Sequence, residues 1–385
     1  MKVLWICGLP EDVRLNATSS KLTEVKGAAW SWILGHLPPP KDIELHILCP
    51  VRGLREKRVD FEYLGVHWHC FRQKRFELSF LWLRFYFSVR GFVKQLSPDM
   101  IHGWGGETGC GWLATLLSKN AIVSVQGLLL LFWQMWSIKG VKQKKKFSTR
   151  VLWFIEQHTY KRAKTLLVES KASQAGLKEY YGLDGVLLQH PLREEFINCD
   201  LTRRKNLNTD RVKFVFLGSL CERKGALDAL RAFSSLINQN ASLVMIGDGE
   251  LRGMLERESE LLSVKGDFSI KRNLTPSEII KEFENAQFFL LPSYGDTGPT
   301  ALKEALACGL YPICYNNSGP ADLVSYYKCG SLVKTGDVES LSREMLKCVE
   351  NIDSCLKEGL RVSVRIREEL SSHSVWKSLL QKYKI

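Results

Sequence analysis

Leu291–Gly309, LPSYGDTGPTALKEALACG, is the stretch from which the rest of the chain can be read. The run Ala286–Leu291 that leads into it is apolar and of the length that crosses a buried parallel sheet. Pro292, Ser293, Gly295 and Gly298 then break the pattern into a tight loop. Pro299 suits the first position of a new helix, where its missing N–H has no partner to lose. Strand, glycine-rich turn and helix N-terminus together make an anion site, because free backbone N–H groups and the helix dipole face the loop. In an open parallel sheet such a loop lies at the carboxyl ends of the strands, where ligands bind.

Two carboxylates frame the loop. Asp296 lies within it, and Glu304 lies about a turn and a half into the helix. At helical spacing Leu302 and Leu306 point toward the sheet, while Thr300, Ala301, Ala307 and Cys308 share the Glu304 side. An acid among small residues leaves room for a ligand. The alternative is a solvated helix Glu beside small residues that pack on a neighbouring helix.

The remaining bulk properties narrow the class. A chain of 385 residues is too long for one ordinary core and predicts two domains. Hydrophobic content of 45% and charged content of 25% are those of a globular protein. The start, MKVLWICGLP, is too short an apolar run for a signal peptide, and no segment reaches the length of a membrane span. Eleven cysteines without a C-x-x-C pair argue for free thiols in a reducing cytoplasm and not for disulfides or a zinc site. The net charge of +13 is lopsided: residues 1–200 carry +10, and no acidic residue occurs from Thr108 to Ile155. Such a field attracts phosphate, as nucleic acid, anionic lipid or a phosphorylated substrate.

Strands alternate with helices in both halves. Lys2–Ile6, Ile43–Leu48, Gly65–Cys70, Met100–His102, Ala121–Val125 and Thr165–Val168 read as strands, with Ser79–Leu96 a long helix. Gly27 opens a helix that Pro38–Pro40 stops, after a polar loop. The charged stretch Arg193–Asp210 reads as a linker. Lys213–Leu217, Leu243–Ile246 and Leu310–Tyr315 are further strands, and Thr275-Pro276-Ser277-Glu278 is a capping box with Pro at its first helical position. The expected architecture is α/β, a parallel doubly wound sheet in each half.

Two segments of the first half stand apart. Phe76–Val93 interleaves Phe76, Phe80, Trp82, Phe85, Tyr86, Phe87 and Phe92 with Arg75, Arg84 and Arg90. Gly127–Trp136 is followed by Lys139, Lys142, Lys144, Lys145, Lys146 and Arg150. Apolar side chains beside a lysine cluster suit a monotopic contact with an anionic membrane. The alternative is core aromatics and a solvated loop. RNA binding ranks lower, since no recognition-domain signature is present. His102 and Glu107 flank a glycine-rich turn after a strand and are acid/base or sugar-binding candidates for an acceptor. Either is equally a capping or structural residue on this pattern.

Residues 213–340 resemble the donor domain of glycosyltransferase family 4, the retaining enzymes of the GT-B fold. Gly218-x-Leu220 with Lys224-Gly225 resembles its G-R-L…K-G phosphate loop, and Gly247-Asp248-Gly249 its G-x-G after a strand. Leu291-Pro292-Ser293 with Asp296 and Glu304 resembles its P-S…E-x7-E…A-x-G signature. Pro98–His102 is similar to the family's P-D-v-v-h strand, and Ser374–Tyr383 to a terminal helix that crosses back onto the first domain. The resemblance implies two Rossmann-like domains facing a central cleft. Their expected extents are 1–197 for the acceptor, 211–370 for the donor, and 371–385 for the returning helix.

It also implies roles. Lys224, helped by Arg223, would bind the donor diphosphate together with the Gly218–Ser219 turn. Glu304 would accept from the ribose hydroxyls, Asp296 would hold the transferred sugar, and the amides around Thr297–Thr300, with Gly298, the distal phosphate. Gly27 and Gln126 would complete the donor site from the first domain. Three departures stand out: Asp296 replaces the usual Glu, Ser219 replaces an Arg, and Gln126-Gly127 replaces a sugar-facing H-G. Asp296, Lys224 and Arg223 would carry catalysis. No D-x-D motif offers ligands for a metal clamp, so neither cofactor nor metal is expected.

The expected function is sugar transfer from a nucleotide-sugar donor, with retention, to a lipid-linked or lipopolysaccharide-type glycan at the inner face of the plasma membrane. The alternatives are a nucleotide-sugar hydrolase or epimerase on the same fold, or a basic nucleic-acid-binding protein. A Rossmann dehydrogenase is disfavoured, since no G-x-G-x-x-G follows the first strand.

Overall fold

The computed structural model describes residues 1–10, 39–75, 81–106, 109–130, 147–202, 204, 207, 210–236 and 239–384. Contacts divide the chain into two units, Met1–Pro191 with Ser372–Ile385, and Leu192–Ser371.

The first unit is built on an eight-stranded sheet in the order β3-β4-β2-β1-β5-β6-β7-β8. Its strands are β1 (Lys2–Ile6), β2 (Glu44–Arg52), β3 (Arg58–Tyr63), β4 (Val66–Gln73), β5 (Met100–Trp104), β6 (Ile122–Val125), β7 (Thr165–Val168) and β8 (Val186–Leu187). All neighbours run parallel except β3, which pairs antiparallel with β4. That hairpin escapes the sequence reading because Arg58–Tyr63, RVDFEY, alternates apolar and charged residues instead of forming a continuous apolar run. Its helices among the described residues are α1 (Leu83–Leu96), α2 (Cys110–Leu117), α3 (Phe147–Arg162) and α4 (Lys171–Tyr181).

The chain's last helix, α13 (Ser372–Tyr383), belongs to this first unit. Trp376 stacks on Trp5 at 5.3 Å, and Trp5 Nε1 donates to the Tyr383 hydroxyl at 2.8 Å. The stacked indoles and one satisfied indole N–H give the helix a specific seat on β1.

The second unit carries a six-stranded parallel sheet in the order β11-β10-β9-β12-β13-β14. The strands are β9 (Val212–Leu217), β10 (Ala241–Ile246), β11 (Phe268–Lys271), β12 (Phe288–Leu291), β13 (Tyr311–Tyr315) and β14 (Ser331–Val333). Alternation along them fills two cores. Phe214, Phe216, Leu243, Met245, Phe288 and Leu290 face one side, and Val215, Val244, Ile246, Phe289 and Leu291 the other. Both faces are therefore covered by helices, which is why these strands read as continuous apolar runs. The helices are α5 (Glu194–Ile197), α6 (Ala226–Phe233), α7 (Arg252–Leu261), α8 (Pro276–Glu284), α9 (Thr300–Ala307), α10 (Ser318–Tyr327), α11 (Val338–Glu350) and α12 (Ile352–Glu369). The expected capping box at α8 is present in full, Thr275 and Glu278 each bonding the other's backbone. Pro299 stands one position earlier than expected, at the N-cap of α9.

The stretch Arg193–Asp210 is not a free linker. Residues 193–197 enter α5, and Arg204 is buried, its Nη1 donating to the carbonyls of Phe283 at 2.7 Å and Ala286 at 2.6 Å, and its Nη2 to Gly309 at 3.0 Å. A guanidinium that satisfies carbonyls behind α8 and α9 ties this segment into the second unit. The boundary accordingly falls after Pro191, ahead of the expected 197.

The aromatic stretch Phe76–Val93 is described from Leu81 onward. Trp82 and Phe85 are buried, and Phe85, Val89 and Val93 form the inward stripe of α1. Phe92 packs on Phe71 and His69, and only Phe87 of the described aromatics stands well exposed, with Arg90 over its ring. Helical spacing puts most of the described rings in the core, while Leu83 and Phe87 stand exposed one turn apart. Gly27, Glu107, Phe76, Phe80 and Lys139 through Lys146 lie outside the described residues.

Candidate functional site

The site begins where β9 ends. After Leu217 the chain turns through Gly218 and the exposed Ser219, then closes a single 3-10 turn, Glu222–Lys224. Gly225 follows with φ of 70°, a left-handed conformation, and a Cβ there would overlap the Pro292 carbonyl. Only glycine meets both demands. This contact brings the β9 turn against the loop after β12, so Lys224 meets Asp296.

Lys224 Nζ pairs with Asp296 Oδ2, with both side chains largely covered. The Lys224 stem runs alongside Gly218, its Cδ and Cε 4.0 Å from where a Gly218 Cβ would stand. The loop is held from both sides. Arg223 Nη1 donates to the Gly295 carbonyl at 2.8 Å, and the Arg223 carbonyl accepts from Tyr294 N at 2.8 Å. Arg223 thus holds the loop with its guanidinium, a job the expected role of auxiliary phosphate cation did not include. On the far side, Gly319 N donates to the Asp296 carbonyl at 2.8 Å. A Cβ on Gly319 would stand 2.6 Å from that same oxygen, so α10 approaches this closely only through glycine.

Beneath the loop lies a buried acid, Asp228 on α6. Its Oδ2 accepts from the hydroxyls of Tyr294 at 2.7 Å and Tyr315 at 2.9 Å. The two phenols satisfy a carboxylate that would otherwise be costly to bury. Burial and this partner push the Tyr294 hydroxyl well above the ordinary phenol range. Nothing in the local pattern announces this knot, because its members come from α6, the β12 loop and β13.

Glu304 sits on α9 and is buried. The space beside it is filled by Arg193, whose Nε and Nη2 both donate to Oε1 at 3.0 and 2.6 Å. Burial raises the Glu304 carboxyl above its ordinary range, and Arg193 opposes that rise. Sequence reading assigned Arg193 to a linker; its partner lies 111 residues away, and local spacing holds no trace of the pair. Thr297 is buried and Gly298 half-buried in the same loop.

In the first unit His102 is fully buried with both ring nitrogens engaged, Nδ1 by the Tyr383 hydroxyl and Nε2 by Ser124 Oγ, each at 2.8 Å. The Tyr383 oxygen already accepts from Trp5, so its proton goes to Nδ1 and His102 Nε2–H donates to Ser124. Burial lowers its pKa to about 3, which keeps the ring neutral. His102 is therefore a core residue and offers an acceptor substrate no free nitrogen. Gln126 is half-buried at the end of β6, its amide nitrogen 3.3 Å from His190 Nε2. His190 is oriented in turn by Glu169, 2.8 Å from Nδ1.

The two units each match a known family model. Residues 40–188 match the glycosyl transferase 4-like domain, and residues 200–358 match glycosyl transferases group 1. Among curated relatives, a 2-deoxystreptamine N-acetyl-D-glucosaminyltransferase of Niallia circulans is 28% identical over 192 residues, 49% of each chain. An α-1,4-N-acetyl-D-galactosaminyltransferase of Campylobacter jejuni, named for a diNAcBac-PP-undecaprenol-linked acceptor, is 32% identical over 151 residues, 37% of this chain and 40% of its own. The matched stretch thus spans about half or less of these relatives' length. Among solved structures, sucrose-phosphate synthase of Thermosynechococcus elongatus superposes with a TM-score of 0.79 at 13% identity, over 100% of this chain and 98% of its own. With a 4-like first unit, a group 1 second unit and this fold, the chain is a family 4-like glycosyltransferase of the GT-B fold.

Proposed function

We propose that the chain moves a sugar from a nucleotide-diphosphate donor to a lipid-linked or polysaccharide-type glycan, with retention at the anomeric carbon. The observation that carries this reading is the Lys224–Asp296 pair at the carboxyl ends of β9 and β12, beside the Gly218 turn. A departing diphosphate gains negative charge, and a preorganised ammonium beside backbone N–H groups stabilises it where water is excluded. On donor binding Lys224 would exchange part of its contact with Asp296 for phosphate oxygens, freeing the carboxylate for sugar hydroxyls. Glu304, held by Arg193, would take the ribose hydroxyls. The base would lie toward the Asp248 turn, with Thr297 and Gly298 near the distal phosphate.

The leaving group would be neutralised by these side chains without a metal ion. The acceptor class follows the relatives, two of which are named for undecaprenol-diphosphate-linked acceptors and one for amylovoran biosynthesis. Among the described residues no helix is long and apolar enough to cross a membrane. Contact with the inner membrane face would then rest on the basic segment 139–150.

A thermal-shift panel of UDP-, GDP-, ADP- and dTDP-sugars tests the reading, since a ligand bound only by the native state raises apparent stability. One nucleotide class should raise the midpoint, and Lys224→Ala should abolish the shift. No shift with any nucleotide sugar, or an unchanged one in the variant, defeats it. Release of free sugar at the same rate with and without glycan acceptor would favour the hydrolase alternative. Turnover should persist in excess chelator; a strict Mn²⁺ or Mg²⁺ requirement would refute the metal-free leaving-group site.

A further inference from the structure

Outside the donor unit, one face of the first sheet carries an array of imidazoles and carboxylates that sugar transfer does not use. His46 on β2 and His67 on β4 are cross-strand partners in a parallel pair, and their rings stack at 4.7 Å. Glu44, two residues from His46, points to the same face. His69 follows His67 on that face, with Asp60 of β3 directly opposite.

The hydrogen bonds among these groups leave one position short of a proton. Asp60 only accepts, so His69 must donate to it from Nδ1, at 2.8 Å. His69 Nε2 is then an acceptor and takes the Nδ1–H of His46, at 2.9 Å. The protons of two neutral rings are now spent. With both rings neutral, His46 Nε2 faces Glu44 Oε1 at 2.9 Å lone pair to lone pair, a contact made favourable by a further proton on His46 or by a metal ion bound to both. The Lys2 ammonium stands 3.6 Å from the same Glu44 oxygen.

We propose that Glu44, His46 and His67 bind a divalent transition-metal ion of the zinc class, with His69 and Asp60 as the outer pair that fixes the His46 ring. The ligand atoms of the three residues already lie within 4.8 Å of one another. Two imidazoles and a carboxylate suit zinc, nickel or copper and not magnesium or calcium, and they leave a fourth position for water. A ligating histidine commonly donates its other N–H to a carboxylate or an equivalent acceptor; here a second histidine relays that bond to Asp60. The cysteine pattern gave no hint of this site because its ligands are two histidines and a glutamate brought together by strand register. An ion here would join β2 to β4 one strand in from the sheet edge, so its effect is expected on stability of the first unit.

The test uses full-length protein freed of metal, titrated with Zn²⁺ by calorimetry and with Co²⁺ by visible spectroscopy. One ion per chain should bind at micromolar concentration or tighter, raise the thermal midpoint, and give a Co²⁺ spectrum without thiolate charge-transfer bands. Glu44→Gln and His67→Gln, both at solvent-reachable positions, should each weaken binding at least tenfold while the apo midpoint holds. Asp60→Asn, which touches no metal, should weaken it as well. Absence of binding, a thiolate spectrum from the eleven cysteines, or unchanged affinity in both ligand variants would overturn the proposal.

Discussion

Arg193 and Glu304 form a part-buried ion pair in which two guanidinium nitrogens converge on one carboxylate oxygen, at 3.0 and 2.6 Å. The pair fixes where the carboxylate points. Removing one partner of such a pair strands a buried charge. Arg193→Ala should therefore destabilise the second unit by about 3–5 kcal/mol, measured by urea unfolding. Glu304→Gln keeps the shape and should cost less stability, yet lose nucleotide-sugar affinity. If Arg193→Ala leaves the unfolding midpoint unchanged, the pair is not holding Glu304.

Lys224 and Asp296 are each less buried than Glu304, so their removal should spare the fold and affect chemistry. Lys224→Ala is expected to lower the transfer rate by about 10²–10³-fold with a normal circular dichroism spectrum. Asp296→Glu should remain active or change donor preference, because both residues offer a carboxylate that differs only in reach. Complete loss in Asp296→Glu with nucleotide binding intact would show that the shorter acid is placed for a different task.

Glu156 on α3 gives a pH signature for the first unit. It is fully buried, accepting from Tyr181 at 2.5 Å, Tyr160 at 3.2 Å and Leu129 N at 3.1 Å, and burial pushes its carboxyl up to about 7. The folded state thus holds a proton that the unfolded chain releases near its ordinary value. The stabilisation is present below that value and is lost as pH rises through about 7, up to about 3 kcal/mol. Thermal midpoints of wild type from pH 5 to 8 should fall relative to Glu156→Gln, whose amide does not titrate. Parallel profiles would place the ionised carboxylate in the fold without penalty.

The basic segment before α3 is tested with vesicles. Replacing Lys142, Lys144, Lys145 and Lys146 by Gln should release the protein from anionic vesicles, since each lysine near such a surface contributes about 1 kcal/mol. Transfer to a lipid-bound acceptor should weaken, while donor hydrolysis or transfer to a short soluble acceptor should change little. Wild type that fails to sediment with anionic vesicles at low salt would remove the membrane contact.

The second unit was legible in the sequence because its information is local. Apolar runs such as Phe288–Leu291 are covered on both faces and read as strands by themselves, and the Thr275 capping box needs only three residues of context. Gly225 and Lys224 announce their loop because a left-handed turn demands glycine at that place. The tertiary structure alone decided which charges meet. Arg193 reaches Glu304, Asp228 gathers Tyr294 and Tyr315, and His102 is closed off by Tyr383 from the end of the chain. The histidine array depends likewise on the register between β2, β3 and β4, where a slip of one residue would turn those side chains to the opposite face. Periodicity reports which face a residue occupies on its own element; which element lies opposite is set by chain topology, and that is where partners and pKa shifts arise.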